Sequence, residues 1–147
     1  CEYASELAGG AGWPEDSRLR AIARSISAEM HSGFQALRST WSMQATSRGV
    51  DVPPTPQVTA DVERIDAIWS DCRARHGKRG PWLFGERYTI ADAMYAPVVL
   101  RFVTYGARLS ATAAHYRDYA LADPFLQEWL RGAAHEIAFE GRPVAHA

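Results

Sequence analysis

The sequence predicts an all-α protein, a bundle of about five helices preceded by one short helix. Apolar residues recur at spacings of three and four over long segments, which is typical of one face of an α-helix. No segment alternates apolar and polar residues over the length of a strand, and no Asn-Gly pair joins two such segments. Capping residues also stand where these helices are expected to begin.

Composition limits the classes of function. Hydrophobic residues make up 47% of the 147 residues and charged residues 22%, which is ordinary for a globular domain in water. The net charge is -1 and no stripe of Lys and Arg is present, so we expect no nucleic-acid partner. The apolar segments are too short to span a membrane. Two cysteines, Cys1 and Cys72, and five scattered histidines predict no disulfide framework and no metal site.

A first long helix is predicted to begin near Pro14, where proline suits the first turn and Glu15 and Asp16 place negative charge at the N-terminus. Its apolar face extends over more than twenty residues: Leu19, Ile22, Ala23, Ile26, Met30, Phe34, Leu37 and Trp41. A second strip on the same helix consists almost entirely of small residues, which would let another backbone approach: Ala21, Ser25, Ala28, Ser32 and Ala36.

Four further helices follow a proline-rich loop over residues 42–56. The second helix is expected to begin at Thr55-Pro56, with Thr55 as the N-cap, and to stop at Gly77. The third, over residues 89–105, is nearly free of charge and is therefore predicted to be buried. Ser110 is the expected cap of the fourth helix. The fifth begins at Asp123-Pro124, with four residues predicted to face inward: Phe125, Trp129, Ala133 and Ile137.

A capping box is predicted at the start of the buried third helix. Thr89 is followed three residues later by Asp92, just before an apolar run, so that each side chain can satisfy the backbone N–H of the other residue. Unsatisfied N–H groups inside a bundle could not turn to water, and each would cost about 1–3 kcal/mol. We therefore interpret Thr89 and Asp92 as structural residues.

This box lies within a longer string that resembles the start of the core helix of glutathione S-transferases: LFGERYTIADAMYAPV. Members of that family often carry a proline inside this helix, and Pro97 matches. Three other segments resemble the first long helix of the family's C-terminal domain, its last helix, and the end of its thioredoxin-like N-terminal domain: WPEDSRLRAIARSISAEMHSGFQALR, DPFLQEWLRGAAHE and CEYASE.

The resemblance implies a domain organisation. Residues 1–12 would be a remnant and linker from a thioredoxin-like domain that this chain lacks, 13–140 the helical C-terminal domain, and 141–147 a frayed tail. In this family the thioredoxin-like domain holds glutathione and supplies the catalytic residue, so we assign no catalytic residue here. Glutathione is expected as the co-substrate of the parent protein, with no cofactor bound tightly to this chain.

The resemblance also implies a pocket for an electrophile, lined by the first long helix and the core helix. The candidate residues are Met30, His31, Phe34, Arg101 and Tyr105. Arg101 could neutralise a carboxylate on the substrate, or it could pair with an acidic side chain of the missing domain. Core packing of the Met30 and Phe34 side chains, a hydrogen-bonded interface role for His31 and a half-buried Tyr105 remain alternative interpretations.

The function that the resemblance implies is glutathione transfer to, or isomerisation of, a small hydrophobic or acidic electrophile, as in detoxification. The parent protein is expected to be a cytoplasmic homodimer with no membrane partner, and this chain alone is expected to be inactive. A second hypothesis is a non-catalytic interaction module of the same fold. In that case the strip of small residues on the first long helix would be the surface on which a partner helix docks.

Overall fold

The structure, a computed structural model, describes residues 1–140 and contains seven α-helices within them. They are α1 (Glu2–Leu7), α2 (Ser17–Ser32), α3 (Gln35–Thr40), α4 (Pro56–Arg75), α5 (Ile90–Tyr105), α6 (Ala111–Leu121) and α7 (Pro124–Glu140). A 3-10 helix, Gly77–Arg79, follows α4, and residues 1–140 contain no strand. The all-α prediction is confirmed, and the predicted frayed tail over 141–147 lies outside the described residues.

The first long helix is two helices, α2 and α3, which differs from the single helix predicted. The chain breaks at Gly33, where a Cβ atom would lie only 2.7 Å from the carbonyl oxygen of Glu29. Phe34 then adopts the left-handed conformation, with φ 58° and ψ 40°, so that α3 leaves in a new direction. Phe34 has no side-chain oxygen with which to cap α3. Asp61 of α4 supplies the missing capping oxygen, because its Oδ2 accepts from the Leu37 amide at 2.9 Å.

α4 also holds the start of α6 through a second carboxylate. Asp66 accepts from the amide of Ser110 at 2.6 Å and from its hydroxyl at 2.8 Å. The Ser110 hydroxyl in turn accepts from the amide of Ala113 at 3.2 Å, which confirms the predicted cap. The predicted cap of α4 is likewise formed, since the Thr55 hydroxyl accepts from the Val58 amide at 3.2 Å. α4 therefore orients two neighbouring helices besides contributing its own apolar face.

The centre of the core is an aromatic cluster around Trp69 of α4. Its ring lies 5.7 Å from Tyr95 and 5.3 Å from Phe102, both on α5, and 4.9 Å from Tyr116 on α6. All four side chains are fully buried. Edge-to-face aromatic pairs add about 0.5–1.5 kcal/mol each to the free energy of burial. The cluster joins α4, α5 and α6, and α2 also packs on α5, where the Tyr95 hydroxyl donates to the carbonyl of Ile26.

The turn between α4 and α5 is held by one arginine. Arg73 donates from Nη1 to the carbonyls of Gly77 at 2.9 Å and Gly80 at 2.6 Å, and also to that of Trp82. Gly80 must be glycine, because a Cβ atom there would lie 2.4 Å from the Cα atom of Glu86. This tight turn delivers the backbone of residues 83–89 to the first turn of α5.

The prediction that Phe125 and Trp129 face inward on α7 was wrong. Phe125 is 81% exposed and Trp129 is 50% exposed, whereas Leu130 is buried and Leu126 is half-buried. α7 is thus turned by about one residue from the predicted orientation, so that its leucines face α6. Ala133 is half-buried, and the side chain of Ile137 lies outside the described residues. The predicted stripe, which contains Phe125 and Trp129, and the observed one, which contains Leu126 and Leu130, both repeat every four residues. Helical periodicity alone therefore does not distinguish them.

We expect Asp66→Ala to lower the free energy of unfolding by about 1 kcal/mol, because the amide and the hydroxyl of Ser110 would both lose their acceptor. Urea denaturation followed by circular dichroism measures this. The matched control is Asp71→Ala on the same helix, which removes only an exposed pair with Arg75 and should cost under about 0.5 kcal/mol. Equal losses in the two variants would show that Asp66 does not anchor α6.

Candidate functional site

The first turn of α5 contains a buried carboxylate that four donors surround. Asp92 is 2% exposed. Its Oδ2 accepts from the amide of Thr89 at 2.9 Å and from the Thr89 hydroxyl at 2.8 Å. Its Oδ1 accepts from the amide of Leu83 and the hydroxyl of Tyr116, both at 3.1 Å. The predicted capping box is present, but Asp92 also binds the preceding turn and α6.

The electrostatics of Asp92 reflect its burial. Removal from water raises the pKa of this carboxyl above its ordinary value, and the four hydrogen bonds oppose that rise. Burial likewise raises the pKa of the Tyr116 hydroxyl well above its usual range, and the negative charge of Asp92 raises it further. Tyr116 therefore remains a neutral donor. No cation contacts Asp92 within residues 1–140, and neutral dipoles alone hold it.

Two of the predicted site residues, Arg101 and Tyr105, meet at Trp41. Arg101 donates from Nε to the carbonyl of Trp41 at 2.8 Å. The ring of Tyr105 stacks on that of Trp41, with centroids 5.2 Å apart and planes 3° apart. The Tyr105 hydroxyl donates to the carbonyl of Ser42 at 3.0 Å. The i, i+4 pair on α5 thus fixes the point where the chain leaves α3.

Arg101 is a half-buried cation without a carboxylate partner among the described residues. Besides the bond to Trp41, its Nη1 donates to the carbonyl of Pro97 at 3.2 Å, one turn earlier on α5. Burial lowers the pKa of Arg101, and the positive charge of Arg38 on α3 lowers it further. Two guanidinium groups therefore share this region near the ends of α3 and α5. Their combined positive potential favours an anionic ligand or side chain beside Arg101.

The other predicted site residues lie elsewhere on α2 and at its end. Met30 is 6% exposed and Phe34 is 8% exposed, and both belong to the hydrophobic core. His31 is exposed, and its carbonyl accepts from Arg38 at 2.9 Å. The structure therefore brings Arg101 and Tyr105 together with Trp41. It places most of the Met30 and Phe34 surface against the core, and the assignment of all five residues to an electrophile pocket stays a prediction.

The sequence analysis missed two residues that shape this region. Trp41 was assigned only to an apolar stripe, although its Nε1 also donates to the carbonyl of Val52 at 2.9 Å. Thr104, fully buried, donates its hydroxyl to the carbonyls of Gln44 and Ser47 at 3.1 and 3.0 Å. A polar residue in an otherwise apolar helix is the signal that could have identified Thr104. Together they bind the loop that follows α3 to the end of α5.

Comparison with protein-family models gives a match over residues 53–132 to the glutathione S-transferase C-terminal domain. That region covers more than half of the chain. The chain belongs to this family. Comparison with the curated proteins finds no match. The matched region contains α4, α5 and α6, so it includes the buried carboxylate of Asp92, the Trp69 cluster and the Arg101–Tyr105 pair of this glutathione S-transferase C-terminal domain.

A nucleophilic role for the buried cysteine of this domain is not supported. Cys72 on α4 is buried in the core, and that burial raises the pKa of its thiol to about 12. Since the thiolate is the reactive form, Cys72 is inert near neutral pH.

Among the helices within residues 1–140, none is both long and apolar enough to cross a bilayer.

We expect Asp92→Ala to lower the free energy of unfolding by about 3 kcal/mol or more, because it strands several buried donors at once. Chemical denaturation is the measurement. The control is Asp51→Ala in the exposed loop before α4, which should change stability by less than about 0.5 kcal/mol. A loss below about 1 kcal/mol for Asp92→Ala would contradict the assigned role of this carboxylate.

We also expect a thiol-reactive chromophore at pH 8 to titrate one cysteine rapidly in the native protein and two after unfolding. Cys1 is exposed and should react, whereas Cys72 is buried with its pKa raised to about 12. Cys1→Ser should abolish the rapid reaction and leave only the reaction of Cys72 that follows unfolding. Rapid reaction of a thiol in native Cys1→Ser would show that Cys72 is accessible.

Proposed function

We propose that this chain is the electrophile-binding domain of a glutathione transferase, and that glutathione is bound by a thioredoxin-like domain preceding it in the parent protein. The substrate is a small electrophile that carries a carboxylate. Arg101 binds that carboxylate, and Tyr105 helps to shape the adjoining wall. The proposal extends to the parent protein as a homodimer in the cytoplasm, where reducing conditions keep the thiol of glutathione free.

The observation that carries the proposal is the uncompensated charge of Arg101. A half-buried guanidinium has lost part of its hydration, and carbonyl oxygens of Trp41 and Pro97 replace only some of it. A substrate carboxylate would supply the missing negative charge. Arginine suits this task because its planar fork can bind both oxygens of a carboxylate at once. The nearby charge of Arg38 adds to the attraction.

The chemistry expected of the parent is nucleophilic attack by the glutathione thiolate. The sulfur forms a bond to an electrophilic carbon. The displaced electron pair either departs with a leaving group or forms an enolate, which is later protonated. The helical domain contributes by holding the electrophile at a fixed distance and by excluding water from it. Arg101 would orient the substrate without taking part in proton transfer, since its guanidinium stays protonated.

A kinetic comparison of two substrates tests this. In the parent protein, Arg101→Gln should lower kcat/KM about tenfold or more for a maleyl-type, carboxylate-bearing electrophile, because a charge-assisted hydrogen bond is lost. It should leave kcat/KM for chlorodinitrobenzene, which has no carboxylate, within about twofold. The control is Arg20→Gln. Arg20, like Arg101, donates to two backbone carbonyls, but it lies near the start of α2 and not on α5.

Each outcome has a distinct meaning. If Arg101 instead pairs with an acidic side chain of the thioredoxin-like domain, Arg101→Gln should reduce activity with both substrates equally and lower the stability of the parent. Absence of glutathione-dependent activity with chlorodinitrobenzene, peroxides and maleyl-type substrates would contradict the enzymatic proposal as a whole.

A second candidate function, a non-catalytic interaction module, is favoured by one observation. The strip of small residues on α2 is exposed, at Ala21, Ser25, Ala28 and Ser32. Small side chains permit close approach of another helix, so this surface could receive one. Ala28→Gln should then abolish binding of the partner while circular dichroism shows unchanged helix content. An intact thiolate-stabilising residue in the parent's thioredoxin-like domain would favour the enzyme instead.

A further inference from the structure

A cavity of about 450 Å³ lies beside the outer surface of α4, away from the Asp92 network. Its walls come from the end of α3, from the loop before α4, from α4, and from the end of α5 with the residues that follow it. The apolar part of the lining includes Trp41, Pro54, Val62 and Tyr105. Trp41 and Val62 are buried and Tyr105 is half-buried, so the floor is made of side chains that the core already fixes.

Two opposite charges line the same cavity without forming a pair. Glu63 on α4 and Arg108 after α5 are both exposed. Neither takes part in an ion pair or a side-chain hydrogen bond with any residue from 1 to 140, and their charged groups are not within 4.0 Å of each other. Both charges are therefore available to a ligand that enters this cavity.

From this arrangement we propose that the cavity binds a free aromatic α-amino acid. Its ammonium group lies at Glu63, its carboxylate at Arg108, and its ring against Tyr105 and the Trp41 side of the cavity. A ligand with only one charge would leave either Glu63 or Arg108 unpaired, and a ligand without a ring would leave the apolar floor in contact with water. The volume is sufficient for an amino acid, which is smaller than the ligands of typical cavities of about 300–1,000 Å³.

The rigidity of the floor supports a binding site. Tyr105 is held from two directions, by its stack on Trp41 and by its hydroxyl bond to the carbonyl of Ser42. Gln44 also donates to that hydroxyl at 3.3 Å. Because these contacts exist before a ligand enters, the Tyr105 side chain loses little entropy on binding. Aromatic stacking would then add to the attraction of the two exposed charges.

Equilibrium dialysis with radiolabelled L-phenylalanine tests the proposal on the full 147-residue chain. We expect saturable binding. Phenethylamine, which lacks the carboxylate, and 3-phenylpropionate, which lacks the ammonium group, should each bind less tightly than L-phenylalanine. L-Alanine should bind least, because it lacks the ring. Glu63→Gln and Arg108→Gln should each raise the Kd for L-phenylalanine about two- to fivefold, the range expected for exposed charge pairs.

The controls are Glu128→Gln and Arg131→Gln, which remove the same charges from exposed positions on α7, a helix that packs on α6. These two variants should leave the Kd unchanged, and circular dichroism should show the same helix content for all four. Absence of saturable binding up to about 10 mM ligand would overturn the proposal, since such affinity falls below about 3 kcal/mol. Equal binding of L-phenylalanine and phenethylamine, or no effect of Glu63→Gln and Arg108→Gln, would also overturn it.

The inference does not depend on the proposed transferase activity. Dialysis requires no glutathione and no thioredoxin-like domain, so a parent without transferase activity would leave its outcome unaffected. Conversely, the hydrogen bonds of Arg101 and Asp92 go to other groups than Glu63 and Arg108. A negative dialysis result would therefore leave the kinetic test of Arg101 unaffected.

Discussion

The arrangement of the bundle depends on how the buried charge of Asp92 is accommodated. A carboxylate that is removed from water and has no cation beside it is stable only if hydrogen-bond donors surround its oxygens. The donors to Asp92 come from three separate segments: the turn at Leu83, the N-cap at Thr89 and Tyr116 on α6. Displacing any one segment would expose the charge to an apolar core. The same group that caps α5 therefore also fixes the angle at which α6 crosses it and the path of the preceding turn.

α5 transmits this constraint to the candidate site. Its first turn is fixed by Asp92, and its last turn binds the loop after α3 through Thr104 and Tyr105. The helix between them packs against α2 and α6 and, through the Trp69 ring, against α4, so it is held along its length as well as at both ends. Arg101 can therefore hold a charge at a defined position even though its own partners are only backbone carbonyls. Positioning by a core helix is more exact than positioning by a loop.

Local signals in the sequence predicted the helix starts at Thr55, Thr89 and Ser110 because a cap involves residues only a few positions apart. The spacing of four residues between Arg101 and Tyr105 likewise places both on one face of a helix. The break at Gly33 was missed, since apolar spacing continues across it and the left-handed Phe34 is set by packing. The orientation of α7 was missed because two adjacent stripes fit the same period. The partnership of Arg101 with Trp41 joins residues 60 positions apart, and periodicity carries no information about it.

Trp41 and Tyr105 lie between the two proposed sites. The carbonyl of Trp41 accepts from Arg101 on one side, and the ring of Tyr105, stacked on Trp41, lines the cavity on the other. The stack itself and the hydroxyl bond of Tyr105 to the carbonyl of Ser42 hold this pair in place. The two proposed sites therefore share one wall, and the contacts of the protein itself set the position of that wall. A side chain that serves two neighbouring sites at once must be fixed in this way, because a mobile ring would present neither site with a defined surface.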